Sequence, residues 1–175
     1  MSYRILYFVP HVLNLIFMVI LGLWWVYIRI DPGLQSYAHQ KIAEPLWEAV
    51  RDENYSWWQR RELIRIASGI SCSEENQDVN LIAGSGRTEY KTALYQGCFT
   101  RDYGHAGFLV PAALKDMGLS YHRFMALRYL RKQGQLSSYI DEITKMQTDS
   151  SQMVRYEVQD ILKFMQQEAG AVRKE

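Results

Sequence analysis

The sequence predicts a mostly α chain in which one N-terminal transmembrane helix is followed by a small helical soluble domain with an irregular middle segment. Three observations lead there. Residues 5–28 form an uncharged run of 24, ILYFVPHVLNLIFMVILGLWWVYI. Apolar residues beyond it recur at helical spacing in several separate segments. Residues 73–107 break that rhythm, with polar runs and glycines. The expected organisation is a short flank (1–4), an anchor (5–30) and a soluble helical domain (31–175).

Composition supports this division. Hydrophobic residues make up 48% of the 175 residues, yet mean hydropathy is slightly negative, −0.25, so the apolar content is concentrated. Residues 1–30 carry two charges, Arg4 and Arg29, which leaves 18 basic and 19 acidic residues beyond them, a net −1. Such balance argues against nucleic-acid binding, which needs a basic face to neutralise phosphates.

A helix rises 1.5 Å per residue and about 20 residues span a bilayer core, so residues 5–28 are long enough. Tyr3 and Tyr7 flank one end and Trp24, Trp25 and Tyr27 the other, where rings favour the headgroup level. A cleavable signal peptide has a shorter apolar core of about 7–15 residues and a small-residue cleavage site; this run ends in Trp-Trp-Val-Tyr. His11, Asn14, Met18, Gly22 and Trp25 fall on one helical face with Tyr7. A polar stripe in lipid is best satisfied by another transmembrane helix, with Gly22 permitting close approach. Membrane lipid, partner helices in a homo- or hetero-oligomer, and protein partners are the expected contacts. The expected location is a bacterial inner membrane. Positive charges flank the run almost evenly, and the pair Cys72 and Cys98 tips the soluble domain towards the periplasmic side as a disulfide.

The turn Asp31-Pro32-Gly33 ends the anchor. Leu34, Ala38, Ile42, Leu46 and Ala49 then predict a helix that Pro45 kinks or divides. Ser56-Trp57-Trp58-Gln59 reads as a capping box opening a helix with Leu63, Ile66, Ala67 and Ile70 buried and Gly69 at its end. Residues 73–78 read as a solvated loop, Val79–Ala83 as a short strand and Gly84-Ser85-Gly86 as a turn. Pro111 opens a helix that stops at Gly118. Ser120 caps the next, with Leu119 and Phe124 as a staple and Phe124, Leu127 and Leu130 facing the core until Gly134. Ile140, Ile143 and Met146 outline a short helix. Val154, Val158, Ile161, Leu162 and Met165 make one stripe of the last, with charges opposite.

No catalytic, cofactor or metal signature emerges. Cys98, Asp102 and His105 suggest a thiol nucleophile with a base, but without a flanking signature. Cys72, Cys98, His105 and His122 lack the short ligand spacing of zinc sites. Gly84-Ser85-Gly86-Arg87 lacks the lysine of a phosphate loop. Glu48, Glu62 and Asp116 are carboxylates that spacing alone cannot pair for glycoside hydrolysis. The strongest binding signal is aromatic: Trp47, Tyr55, Trp57 and Trp58 fall within 12 residues, followed by Arg60 and Arg61. Trp and Arg are enriched in interfaces, and beside an anchor they equally suit a membrane surface. The expected function is a non-enzymatic single-pass subunit of a bacterial envelope complex of secretion, conjugation or division type. A membrane-tethered cell-wall hydrolase and an oligomerising pore-forming or lysis-regulating protein are the alternatives.

Overall fold

The computed structural model describes residues 17–19, 21, 32–100 and 106–172. It is about 80% helical, and no strand occurs among the described residues. Chain contacts divide it into two compact units, Met1–Ile42 and Ala43–Glu175. In the first unit, residues 17–19, 21 and 32–42 are helical.

The membrane-anchored fold class is corrected here, and with it the expected inner-membrane location. Among the described residues, no helix is long and apolar enough to cross a membrane. The two long helices, α1 (Pro32–Arg51) and α8 (Gln152–Val172), interrupt their apolar stripes with charge: Lys41, Glu44, Glu48 and Arg51 in one, Arg155, Glu157, Asp160 and Lys163 in the other. Each such group is costly in hydrocarbon. Most of the run 5–28, with His11, Asn14, Gly22 and Trp25, lies outside the described residues. Met18, which is described, is exposed.

The second unit is built from the C-terminal part of α1 and seven further helices: α2 (Trp57–Ile70), α3 (Gln77–Ala83), α4 (Thr88–Thr100), α5 (Val110–Leu114), α6 (Ser120–Lys132), α7 (Ile140–Lys145) and α8. Single 3-10 turns precede α5 and flank α7. Pro45 lies inside α1 and does not divide it.

The expected irregular middle holds a heavily buried helix, α4. In α4, Ala93, Leu94, Tyr95, Gly97, Cys98 and Phe99 are all buried. A helix covered nearly all round shows no amphipathic period, so the pattern that marks surface helices is missing from it. α3 replaces the expected strand Val79–Ala83. Its start is fixed by Asn76, whose Oδ1 accepts from the backbone N–H groups of Asp78 (2.9 Å) and Val79 (3.3 Å), a local competitor that favours helix initiation.

α2 packs on α4 in the most extensive helix pairing among the described residues. A Cβ added to Gly97 would sit 1.9 Å from Ser68 Oγ, 2.5 Å from the Arg65 carbonyl and 2.8 Å from the Gly69 nitrogen. The two backbones therefore touch at a glycine opposite Ser68-Gly69. This contact sets the rotation of α2: Ile64, Ala67 and Ser68 are buried, whereas the expected Leu63 is half-buried and Ile66 is 41% exposed. Cys72, just beyond α2, is joined to Cys98 of α4 by a disulfide with a Cα–Cα distance of 5.5 Å.

Helix ends follow local chemistry. Gln59 Oε1 accepts from the Ser56 backbone N–H (2.9 Å) and hydroxyl (2.7 Å) at the start of α2. α6 begins at Ser120, so Ser120 is a helical residue and not the cap; Asp116 Oδ1 accepts instead from Gly118 (2.9 Å) and Leu119 (3.3 Å). α6 ends in a Schellman motif: Gly134 has φ +66°, its N–H bonds Arg131 O (3.2 Å), and Gln135 N–H bonds Leu130 O (3.0 Å). Leu127, Leu130, Ile143, Val154, Val158 and Ile161 are fully buried.

Two stability measurements check the crossing. Gly97→Ala forces backbone against backbone and is expected to cost about 1–3 kcal/mol or more in urea unfolding. Removing the disulfide by Cys72→Ser with Cys98→Ser is expected to cost about 3 kcal/mol. A Gly97→Ala protein as stable as the parent would show that the helices separate freely.

Candidate functional site

A polar chain through the second unit was not anticipated from the sequence. It starts at Thr92 in α4, whose Oγ1 donates to the Thr88 carbonyl (2.8 Å) and lies 2.8 Å from His122 Nε2. His122, in the first turn of α6, is fully buried. Its Nδ1 donates to Asp116 Oδ2 at 2.7 Å, and its ring meets Tyr95 edge-on at 4.8 Å. The neighbouring Arg123, 2% exposed, grips Asp149 with two bonds of 2.7 and 2.9 Å and also donates to the Asp116 carbonyl. Arg155 of α8 closes the chain on the backbone carbonyls of Asp149 (2.5 Å) and Ser150 (3.0 Å). Side chains and backbone from α4, the α5–α6 turn, α6 and the approach to α8 are thus tied together.

The row Thr92–His122–Asp116 has the order of a hydrolytic hydroxyl, base and orienting acid. Its proton inventory fits a clasp better. With the Thr92 proton on Thr88, both ring nitrogens of His122 donate; with that proton turned to Nε2, the ring needs only its Nδ1 proton. Every polar atom is satisfied either way, and the hydroxyl is bonded to its own helix. The surface clefts described below are lined by other residues, so no substrate space adjoins Thr92 in any of them.

Burial works to raise both Asp116 and Asp149. In Asp116 the His122 bond and the Gly118 and Leu119 N–H groups outweigh it, and in Asp149 the Arg123 bond and the Ser151 N–H do so. Both carboxyls are held below their ordinary range.

The aromatic-basic segment is split by the fold. Trp47 turns into the core at 3% exposure, packed in the main apolar cluster, and its indole N–H has no acceptor among the described residues. Tyr55, Trp57 and Trp58 face outward, the two indoles at 57% and 55% exposure. Arg60 and Arg61 are half-buried behind them. Trp57 also lines a cleft of about 310 Å³ with Arg87, Glu89 and Tyr90, in which the Arg87 guanidinium lies 5.2 Å from the Tyr90 ring centre. The aromatic cluster was legible in the sequence; which indole would be lost to the core was not.

The other candidates dissolve. Cys72 and Cys98 are bonded to each other, which removes both as thiolate ligand or nucleophile; Asp102 and His105 lie outside the described residues. Among the described residues, no group of three His, Cys, Asp or Glu side chains could hold a metal. Glu62 pairs with Arg65 (2.8 Å) and Asp116 with His122, while Glu48 is exposed on α1. Gly84-Ser85-Gly86 is a turn between α3 and α4.

No protein-family model, curated protein or solved structure matches the chain. The geometry alone carries the functional reading.

The polar chain makes a definite pH prediction. A carboxyl whose pKa is lower in the folded state takes up its proton more readily when unfolded, so its stabilisation is present above the unfolded value of about 3.9 and is lost as pH falls below it. Urea midpoints should stay level on this account from neutral pH to about 5 and decline below about 4. Asp149→Asn, which strands the buried Arg123, should cost about 3–5 kcal/mol at neutral pH and flatten the acid decline. An unchanged acid profile in that variant would remove Asp149 from the account.

Proposed function

We propose that the helical domain is a non-enzymatic interaction module that holds a protein partner at the outward edge formed by Trp57 and Trp58, as one subunit of a larger assembly. The observation carrying this reading is two consecutive indoles, each more than half exposed, on a helix whose far end is fixed by a backbone-close crossing and a disulfide. Tryptophan supplies a large rigid contact area at low entropic cost, and such anchors dominate binding energy at interfaces. Tyr55 extends the apolar surface, and Arg61 and Arg87 add donors at its margin for carbonyl or carboxylate groups. The hydrolase alternative has only the Thr92–His122–Asp116 row to support it, and Thr92 lines neither the Trp57 cleft nor the hollows between α6 and α8.

Crosslinking and co-purification from the native host, with partners identified by mass, test the proposal. Trp57→Ala with Trp58→Ala should weaken retention of a stoichiometric partner by about 30-fold, matching about 2 kcal/mol for a hot spot. The same double variant should keep its urea midpoint, since surface changes usually stay within about 0.5 kcal/mol. Undiminished partner retention in the double variant would refute this surface. Loss of vesicle binding, with protein partners retained, would assign the indoles to lipid.

A further inference from the structure

A second surface lies away from Trp57 in sequence, in the groove between α6 and α8. Two adjoining hollows of about 560 and 590 Å³ share Phe124 and Glu157 and form one trough. One wall uses Tyr121, Phe124, Met125 and Arg128, spaced i, i+3, i+4 and i+7 on one face of α6. The facing wall uses Met153, Tyr156, Glu157 and Asp160, again i, i+3, i+4 and i+7, on α8. Tyr156 is 61% exposed. From Tyr121 to Lys132 the trough runs ~16 Å along α6 at 1.5 Å per residue, three turns of a helix.

We infer that this trough receives an acidic amphipathic helix from another protein. Both walls are helices whose backbone groups are bonded internally, so an added strand would find no ladder to join. A helix satisfies its own backbone and can present apolar side chains at i, i+3 or i+4, and i+7 to such a groove. Charge selects an acidic occupant. Arg131 is held by Asp160, with Glu157 3.9 Å away, so those charges are spent across the trough. Lys132 has an interaction of its own. Arg128 is exposed, its guanidinium 5.7 Å from the Phe124 ring centre, and no carboxylate pairs with it among the described residues. The ring and the cation together offer an apolar surface beside one positive charge that has no carboxylate partner among the described residues, which a Glu or Asp on the incoming helix would answer.

The test uses the full chain and a displayed library of 15-residue helix-forming peptides with randomised faces. Selection should enrich peptides with apolar residues at i, i+3 or i+4 and i+7 and an acidic residue on the same face. Their affinity should fall at least ten-fold for Tyr156→Arg and for Arg128→Glu, and Arg128→Glu should shift the preferred acidic position to Lys. Trp57→Ala with Trp58→Ala should leave this binding unchanged, which separates it from the partner surface proposed above. Should Tyr156→Arg fail to fold, the charge exchange at exposed Arg128 decides alone. No enrichment, enrichment indifferent to Arg128, or a preference for basic peptides with the parent chain overturns the inference. So does a self-associated dimer in sedimentation that Tyr156→Arg or Arg128→Glu disperses, since the trough would then hold a second copy.

Discussion

The approach of α2 to α4 at Gly97 constrains the second unit more than any other contact. A glycine facing Ser68-Gly69 lets two helix backbones meet without an intervening layer of side chains. Packing at that range is unforgiving, because interiors are as dense as organic crystals and a single methyl group has nowhere to go. Ile64 and Ala67 of α2 and Ala93 and Leu94 of α4 are all fully buried; at the end of α2, the disulfide from Cys72 to Cys98 keeps the helix from sliding. Cys98 is the next residue after Gly97, so the tightest noncovalent contact and the covalent one reinforce the same register.

With α4 so placed, its remaining faces are spoken for. Tyr95 stacks on Phe99 at 5.5 Å, and Phe99 meets Tyr129 of α6 at 5.0 Å. Thr92 is left facing His122, and the polar chain begins there. A buried ion pair such as Arg123–Asp149 gains little net stability once desolvation is counted, yet breaking one half leaves an unpaired buried charge. Its effect is selective: only one placement of α6 against the approach to α8 satisfies Arg123, His122 and both carboxylates together. Arg131 of α6, paired with Asp160 of α8, ties the same two helices directly further along.

How much of this could be read from the residues depended on whether an element has a wet side. α8 has one, and its stripe of Val154, Val158 and Ile161 was legible and correct. Gly134 was legible as a stop because only a left-handed residue closes α6 there. α4 has almost no wet side, so it looked irregular. α3 is a seven-residue helix whose start depends on one Asn76 side chain, and its apolar run was equally compatible with a strand. The rotation of α2 was misread by one position because it is set from outside, by Gly97 some thirty residues on. Asp116 could not be paired from spacing, since nothing local shows that His122 six residues later is buried. The run 5–28 reads as an anchor by hydropathy alone, but no membrane-length apolar helix is found among the described residues.

The same division between fixed interior and wet exterior explains why the binding surfaces fall where they do. Trp47 and Trp57 are ten residues apart and chemically alike, yet one is core and the other is not. Trp47 lies where α1 meets the apolar cluster, and its indole N–H has no acceptor among the described residues. Trp57 and Trp58 occupy the first turn of α2, beyond the reach of the crossing, where Gln59 is already engaged in capping. No packing requirement of the domain asks for indoles there; smaller residues would complete the same turn with less apolar surface left in water. Exposed large rings mounted on a helix that a close crossing and a disulfide hold in place are the combination that lowers the entropic cost of association. The α6–α8 trough has the complementary character: Arg123 of α6 and Arg155 of α8 both bond Asp149, which links its two wall helices, while Phe124 and Tyr156 keep part of their rings uncovered.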